Sequence, residues 1–243
     1  MSTKTLDKNE IELFNSISNE WWNEEGSMSF LHSMSETRTK FIKSELIKNF
    51  NIKRKSNILS GLDILDLGCG GGIASEPLCR LGANLTGIDE SQKLIDVAKL
   101  HARKMRLKIN YQCNSIDNLN KLKKKYDVIV ALELLEHVNN LKYFCKLITN
   151  LLKDDGIIIL STINKTLLSK IFVIDMAEKI LKKIPTGTHH YKKFIKPREI
   201  KDIFISYNFQ IRTIKGINFN PISNNWKLTD NKPINYIVSL SKL

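Results

Sequence analysis

The sequence predicts an α/β fold: a doubly wound, mostly parallel seven-stranded sheet with an antiparallel edge strand. Three observations predict it. Short apolar runs alternate with amphipathic stretches through the middle of the chain. A glycine cluster, Gly68 to Gly72, follows directly on the first of those runs. The last two runs, Phe209 to Ile214 and Tyr236 to Leu240, have no helical pattern between them, which suggests an antiparallel pair.

The elements follow in order. Phe14 and Ile17 precede Trp21-Trp22, then Phe30, Leu31 and His32, and Arg38 begins a helical run with Phe41, Ile42, Leu46 and Ile47. Adjacent tryptophans on a helix face different ways, so one packs on the body while the other covers something; this arm (about 10–50) is either core packing or a lid that excludes water. Ile64 to Leu67 is a strand, Ile73 to Leu81 a helix ended by Gly82, and Asn84 to Ile88 a strand with Asp89 at its tip. Ser91 caps a helix reaching about Met105, with Leu94, Ile95, Ala98, Ala102 and Met105 inward. Ile109 to Cys113 is a short strand, and Tyr126 to Leu132 a strongly apolar one suited to a sheet covered on both faces. A helix runs from about Asn140 to Leu152, a turn takes Asp154-Asp155-Gly156, and Ile157 to Thr162 is the next strand. Pro197 suits the first turn of another helix. The connection Lys215 to Asn235 is polar and Asn-rich. One stretch, about 165–195, interrupts the rhythm. From Phe172 to Ile184 it sets Val173, Met176, Ala177, Ile180, Leu181 and Ile184 against Asp175, Glu178 and Lys179, Lys182 and Lys183, as a surface helix or a helix resting on a membrane would. The whole, 1–243, reads as one domain with that arm and that insert.

Composition bounds the partners. The 243 residues suffice for one sizeable core. A net charge of +13, mostly lysine, is compatible with an anionic partner or with lysines spread over solvated faces. No arginine-rich cluster with interleaved aromatics appears, so nucleic acid is not an expected partner. Cys69, Cys79, Cys113 and Cys145 form no C-x-x-C pair and read as reduced thiols of a cytoplasmic protein. Met1 to Glu10 carries no apolar signal core, and no apolar run approaches the length of a bilayer span.

The chemistry gathers where strands end. Strand, glycine turn, helix, strand and terminal acid make a half-site for an adenosine-bearing cofactor. Glycines let the backbone approach a ligand, the helix N-terminus adds its dipole, and a carboxylate about 20 residues on accepts ribose hydroxyls. The spacing separates cofactor classes. Gly68 and Gly70 fit a dinucleotide fingerprint, but its third glycine position is Ile73 and the extra glycine falls at 72. Glu133-Leu134-Leu135-Glu136-His137 follows the apolar strand. As a first helical turn, it would put 133, 136 and 137 on one face. Those groups could hold a divalent cation, or His137 could take a proton from a substrate hydroxyl. A blander alternative is acids favouring a helix N-terminus beside a histidine that caps a turn.

The G-x-G-x-G spacing preceded by Asp66 resembles motif I of the class I S-adenosylmethionine-dependent methyltransferases, whose fold is Rossmann-like. A closer resemblance covers nearly the whole chain. Phe14, Trp21-Trp22, Leu31-His32 and Arg38, with Leu65 to Gly72 (LDLGCGGG), Thr86 to Asp89, Val97 to Ala102 and Leu134 to Val138, are similar to the ubiquinone biosynthesis O-methyltransferases. So are Pro185 to His189, Lys193 to Pro197, Asn220-Pro221-Ile222 and Asn235-Tyr236. The tryptophan pair and the GTH…KFIKP insert are the specific marks; the glycine motif marks only the superfamily.

That resemblance implies methyl transfer from S-adenosyl-L-methionine to hydroxyls of polyprenylated phenol or catechol intermediates, in both O-methylation steps of the pathway. It implies cofactor contacts at Arg38, Gly68, Asp89 and Leu132, beside Asp66 and Gly70 of the glycine motif; Leu132 stands where methionine is frequent. It implies Mg2+ in some relatives, at positions matching Glu133, Glu136 and His137. His190 departs from an aspartate of the pattern. A lipid-dissolved substrate implies peripheral association with an anionic membrane surface at its inner face, weakened by salt, and a possible complex of ubiquinone-biosynthesis proteins. The competing readings are a cofactor-binding scaffold without catalysis, a nicotinamide oxidoreductase, and methylation of another small phenol.

Overall fold

The computed structural model describes residues 8–173, 190–220 and 225–243. Most of the Phe172 to Ile184 helix, the Pro185 to His189 motif and Pro221-Ile222 lie outside them. The described helices are α1 (Lys8–Ser16), α2 (Ser29–Asn49), α3 (Ser75–Arg80), α4 (Gln92–Lys104), α5 (Ile116–Lys121), α6 (Leu141–Leu151), α7 (Leu167–Ser169) and α8 (Pro197–Ile205). The strands are β1 (Asp63–Leu67), β2 (Asn84–Asp89), β3 (Asn110–Cys113), β4 (Tyr126–Leu132), β5 (Leu152–Ile163), β6 (Phe209–Asn220), β7 (Asn225–Thr229) and β8 (Asn235–Lys242).

They form one eight-stranded sheet in the order β3-β2-β1-β4-β5-β8-β6-β7. The strands from β3 to β5 pair in parallel, while β8, β6 and β7 pair antiparallel. The predicted seven strands are thus joined by an eighth: β6 runs on to Asn220 and turns back as β7, inside the connection read as polar loop. Its Trp226 and Leu228 pack toward the core cluster under α2, so one apolar face suffices for an edge strand in an Asn-rich stretch.

Strand alternation sends side chains to two cores. Leu65, Leu67, Ile129 and Ala131 pack with Phe144 and Ile148 of α6 and Phe204 of α8. Ile64, Val128, Val130, Ile157 and Ile159 pack on the other face with Phe41, Ile42 and Leu46 of α2 and Leu78 of α3. Asn140 caps α6 by accepting from the Tyr143 amide at 3.0 Å, and Pro197 stands in the first turn of α8. On α4, Leu94, Ile95, Ala98 and Ala102 are buried as predicted, but Met105 is 40 % exposed because the helix has already ended at Lys104. The predicted turn at Asp154 to Gly156 is instead part of β5: the register against β4 slips between Tyr126 and Val128, and that irregularity absorbs the extra residues.

Candidate active site

The carboxyl ends of β1, β2 and β4 meet under the N-terminal segment. Leaving β1, the chain turns through Gly68, Gly70 and Gly72 with φ of +65°, +52° and +96°. Gly68 suits this left-handed backbone, and a Cβ there would also press on the end of the Leu134 side chain at 2.7 Å. The Gly70 amide donates to Asp89 Oδ2 at 3.0 Å and the Ser91 amide to Oδ1 at 2.8 Å. Burial raises the Asp89 pKa, against the pull of those amides. Asp66 is buried at the tip of β1 and accepts from Ser75 Oγ at 2.5 Å. Burial pushes its carboxyl up to about 7; the Ser75 bond opposes this and the Asp89 charge adds to it.

Arg38 projects from α2 into the same region and is 4 % exposed. Its Nη2 lies 3.2 Å from Glu133 Oε1 and 3.7 Å from Met34 Sδ, while the buried Nε has no partner among the described residues. Burial lowers the guanidinium pKa and the charges of Glu133 and Glu136 raise it. Leu132 ends β4 as a half-buried side chain of the α2-side core.

Glu133 to His137 do not form the predicted α-helical turn. Glu133 is left-handed, with φ +50°, and only Leu135–His137 make a 3-10 turn. The cause is tertiary: the Glu133 amide bonds Ser161 on β5 at 3.0 Å, and Ser161 Oγ donates back to Glu133 Oε1 at 2.6 Å. The three predicted metal ligands therefore share no helix face. Glu133 turns to Arg38, Glu136 accepts from Thr162 Oγ1 at 2.8 Å, and His137 Nδ1 lies 3.0 Å from Glu10 Oε2. Among the described residues no three His, Cys, Asp or Glu side chains gather as an ion requires, so this arrangement does not fit Mg2+.

The N-terminal segment spans these parts. Glu10 of α1 joins His137 to Lys193, whose Nζ stands 3.0 Å from Glu10 Oε1. Burial alone would raise the Glu10 pKa, but the His137 and Lys193 bonds and charges outweigh it and bring it down to about 2. Phe14 meets the His137 ring edge-on at 5.2 Å. Asn15 Oδ1 accepts from Ser91 Oγ at 2.5 Å. Trp22 donates to the Gly71 carbonyl at 3.0 Å and stacks on His101 at 3.5 Å, while Trp21 is buried against the glycine turn. Sequence reasoning missed Glu10, Ser75 and Ser161, and it read Lys193 only as part of a family motif, without a role.

A family model described as a methyltransferase domain matches residues 34–214. The ubiquinone biosynthesis O-methyltransferase of Pelagibacter ubique (strain HTCC1062) is 46% identical over 238 residues, covering 98% of this chain and 99% of that protein. The chain belongs to the ubiquinone biosynthesis O-methyltransferase family. Another member of this O-methyltransferase family, from Rickettsia prowazekii (strain Madrid E), is 39% identical across 98% of this chain and 92% of its own length. Among solved structures, magnesium protoporphyrin IX methyltransferase from Synechocystis PCC 6803 with bound SAH superposes with a TM-score of 0.69 at 20% identity, covering 98% of this chain and 100% of that one. A methyltransferase from Clostridium acetobutylicum ATCC 824 gives 0.61 at 18%, over 86% and 92%. Those two likenesses speak to the fold the family enzyme shares.

Proposed function

We propose that this family member transfers the methyl group of S-adenosyl-L-methionine to hydroxyl oxygens of polyprenylated phenols or catechols, serving both O-methylation steps of ubiquinone biosynthesis. The observation that carries the reading is the buried Arg38 Nε. A guanidinium N–H without an acceptor in the interior suits a ligand carboxylate, and Asp89 at the tip of β2 offers a carboxylate that suits ribose hydroxyls. The methyl donor supplies an already electrophilic carbon. The chain's part is to hold, align and deprotonate. In our reading Arg38 and Asp89 fix the two ends of the nucleoside, the glycine turn lets backbone amides approach it, Asp66 lies beneath that turn, and Leu132 packs on the base. The arm, Glu10 to Phe50, acts as a lid that excludes water. Fixing donor and acceptor near attack distance supplies on the order of 7–11 kcal/mol of the barrier reduction.

A neutral phenol, with pKa near ~10, is a weak nucleophile. His137 is the proposed base. Glu10 accepts from its Nδ1, which leaves Nε2 as the basic nitrogen. No step is assigned to a metal ion, because Glu133, Glu136 and His137 are committed to different partners.

The membrane surface enters through the insert. Leu167, Leu168, Ile171 and Phe172 are 73 %, 51 %, 48 % and 47 % exposed where the chain enters it. Such a cluster beside Lys165 and Lys170 suits a peripheral seat on the anionic inner face of the membrane. Among the described residues no helix is long and apolar enough to cross one. The test is transfer of labelled methyl from S-adenosylmethionine to a short-tailed catechol. Product is expected, and His137→Ala should slow its formation by about 10²- to 10⁴-fold. Absence of product despite tight cofactor binding would favour a scaffold and overturn the reading.

A further inference from the structure

Trp21 carries a donor that the fold leaves unused. The residue is 6 % exposed, and its Nε1 is buried without a partner among the described residues. Buried N–H groups are almost always paired, so an orphan calls for a ligand or a cause. The neighbouring Trp22 has the same group satisfied by the Gly71 carbonyl, so the environment is not short of acceptors. Nor is Trp21 loosely held. Its carbonyl lies 2.8 Å from His32 Nε2, and its ring packs with Ile73 and Leu94.

The ring lies on the glycine turn. A Cβ on Gly70 or Gly71 would overlap it, and at Gly71 the indole nitrogen is among the nearest atoms. The Gly70 amide is in turn bonded to Asp89. On the other side Phe14 stands 6.3 Å from Trp21 and 5.2 Å from His137. Trp21 therefore bridges the turn predicted to hold the cofactor and the segment predicted to do chemistry.

We propose that Trp21 Nε1 is a cofactor-binding donor that completes the ribose site, hydrogen-bonding a ribose hydroxyl oxygen of the methyl donor whose hydrogens go to Asp89. The chemistry is complementary. The Asp89 oxygens already act as acceptors toward the Gly70 and Ser91 amides and can also take hydroxyl hydrogens, while each hydroxyl oxygen keeps lone pairs that need a donor. The absence of side chains at Gly70 and Gly71 then has a second purpose, since it lets an indole from the arm reach the ribose. This inference rests on the methyl-donor reading above.

The test is calorimetric titration of S-adenosylhomocysteine and of 5′-methylthioadenosine, which keeps the ribose but lacks the amino-acid end. Trp21→Phe retains the apolar ring and loses the donor. It should weaken both ligands alike, by about three- to tenfold. In wild-type protein carrying ¹⁵N-labelled tryptophan, one of the three indole N–H signals should move downfield on adding either ligand, whether or not the variant folds. Unchanged affinity for both ligands, or a loss confined to S-adenosylhomocysteine, would overturn the assignment, as would indole signals that stay put on binding. Failure of wild-type protein to bind either ligand would instead refute the methyl-donor reading on which it rests.

Discussion

The carboxyl of Asp66 makes stability depend on pH, and Asp66→Asn isolates that dependence. The side chain is buried, and its pKa rises from 3.8 to about 7, chiefly through lost hydration. The folded state therefore holds the proton more tightly than the unfolded chain does. Folding stability must fall as pH climbs from about 4, and it levels off above about 7. A shift of about three units at 1.36 kcal/mol per unit amounts to about 4 kcal/mol in all, of which about 2–3 kcal/mol is lost between pH 5 and pH 8. Asparagine keeps the shape and an acceptor for Ser75 Oγ but has no proton to lose. Its advantage over the parent should therefore grow by that amount between the two pH values, or by about 5–10 °C in Tm for a chain of this size. Differencing the two proteins at each pH cancels the titrating groups that do not feel the Asp66 charge, leaving Asp66 and its coupling to Asp89. Thermal melts at pH 5 and pH 8 measure it directly. A gap between variant and parent that stays flat across that range would refute the burial argument.

Other expectations follow from the same contacts. Gly70→Ala forces a Cβ into the Trp21 ring at φ +52° and should cost at least about 1–2 kcal/mol in urea denaturation, with a red shift in tryptophan emission. Arg38→Lys keeps the charge but loses the fork, and should weaken S-adenosylmethionine binding by about tenfold or more by calorimetry; parental affinity would remove Arg38 from the carboxylate site. The depressed Glu10 pKa means that its bonds to His137 and Lys193 stabilise the folded arm above about pH 4.5 and are lost as pH falls toward about 2. Glu10→Gln should accordingly speed proteolysis within residues 8–28 by about three- to tenfold at pH 7, and equal rates would show that the ion pair does not hold the arm.

The parallel half of the fold was legible because each strand there is short, apolar and covered on both faces, as Tyr126 to Leu132 is. The glycine turn and Asp89 were legible because backbone geometry demands glycine and a strand tip demands a polar terminus. The failures have one cause, contacts distant in sequence. Glu133 looked like the first residue of a helix until Ser161 and Arg38 drew it into a left-handed conformation. Glu10 looked like one more residue of a polar N-terminal stretch, but it is bonded to His137, 127 positions along the chain. β7 hid in an Asn-rich connection because an edge strand needs only one apolar face, here Trp226 and Leu228.

The position of β8 bears on how the protein is made. It is the last described strand along the chain, yet it is inserted between β5 and β6. While translation proceeds, the nascent β5 keeps an unpaired edge along Ile157 to Ile163, and β6 has only the hairpin partner β7. Both wait for residues 235–242 to clear the ribosomal exit tunnel. A premature stop that removes only this stretch would leave two sticky ladders open at once, and the expected fate is aggregation rather than a slightly weakened enzyme.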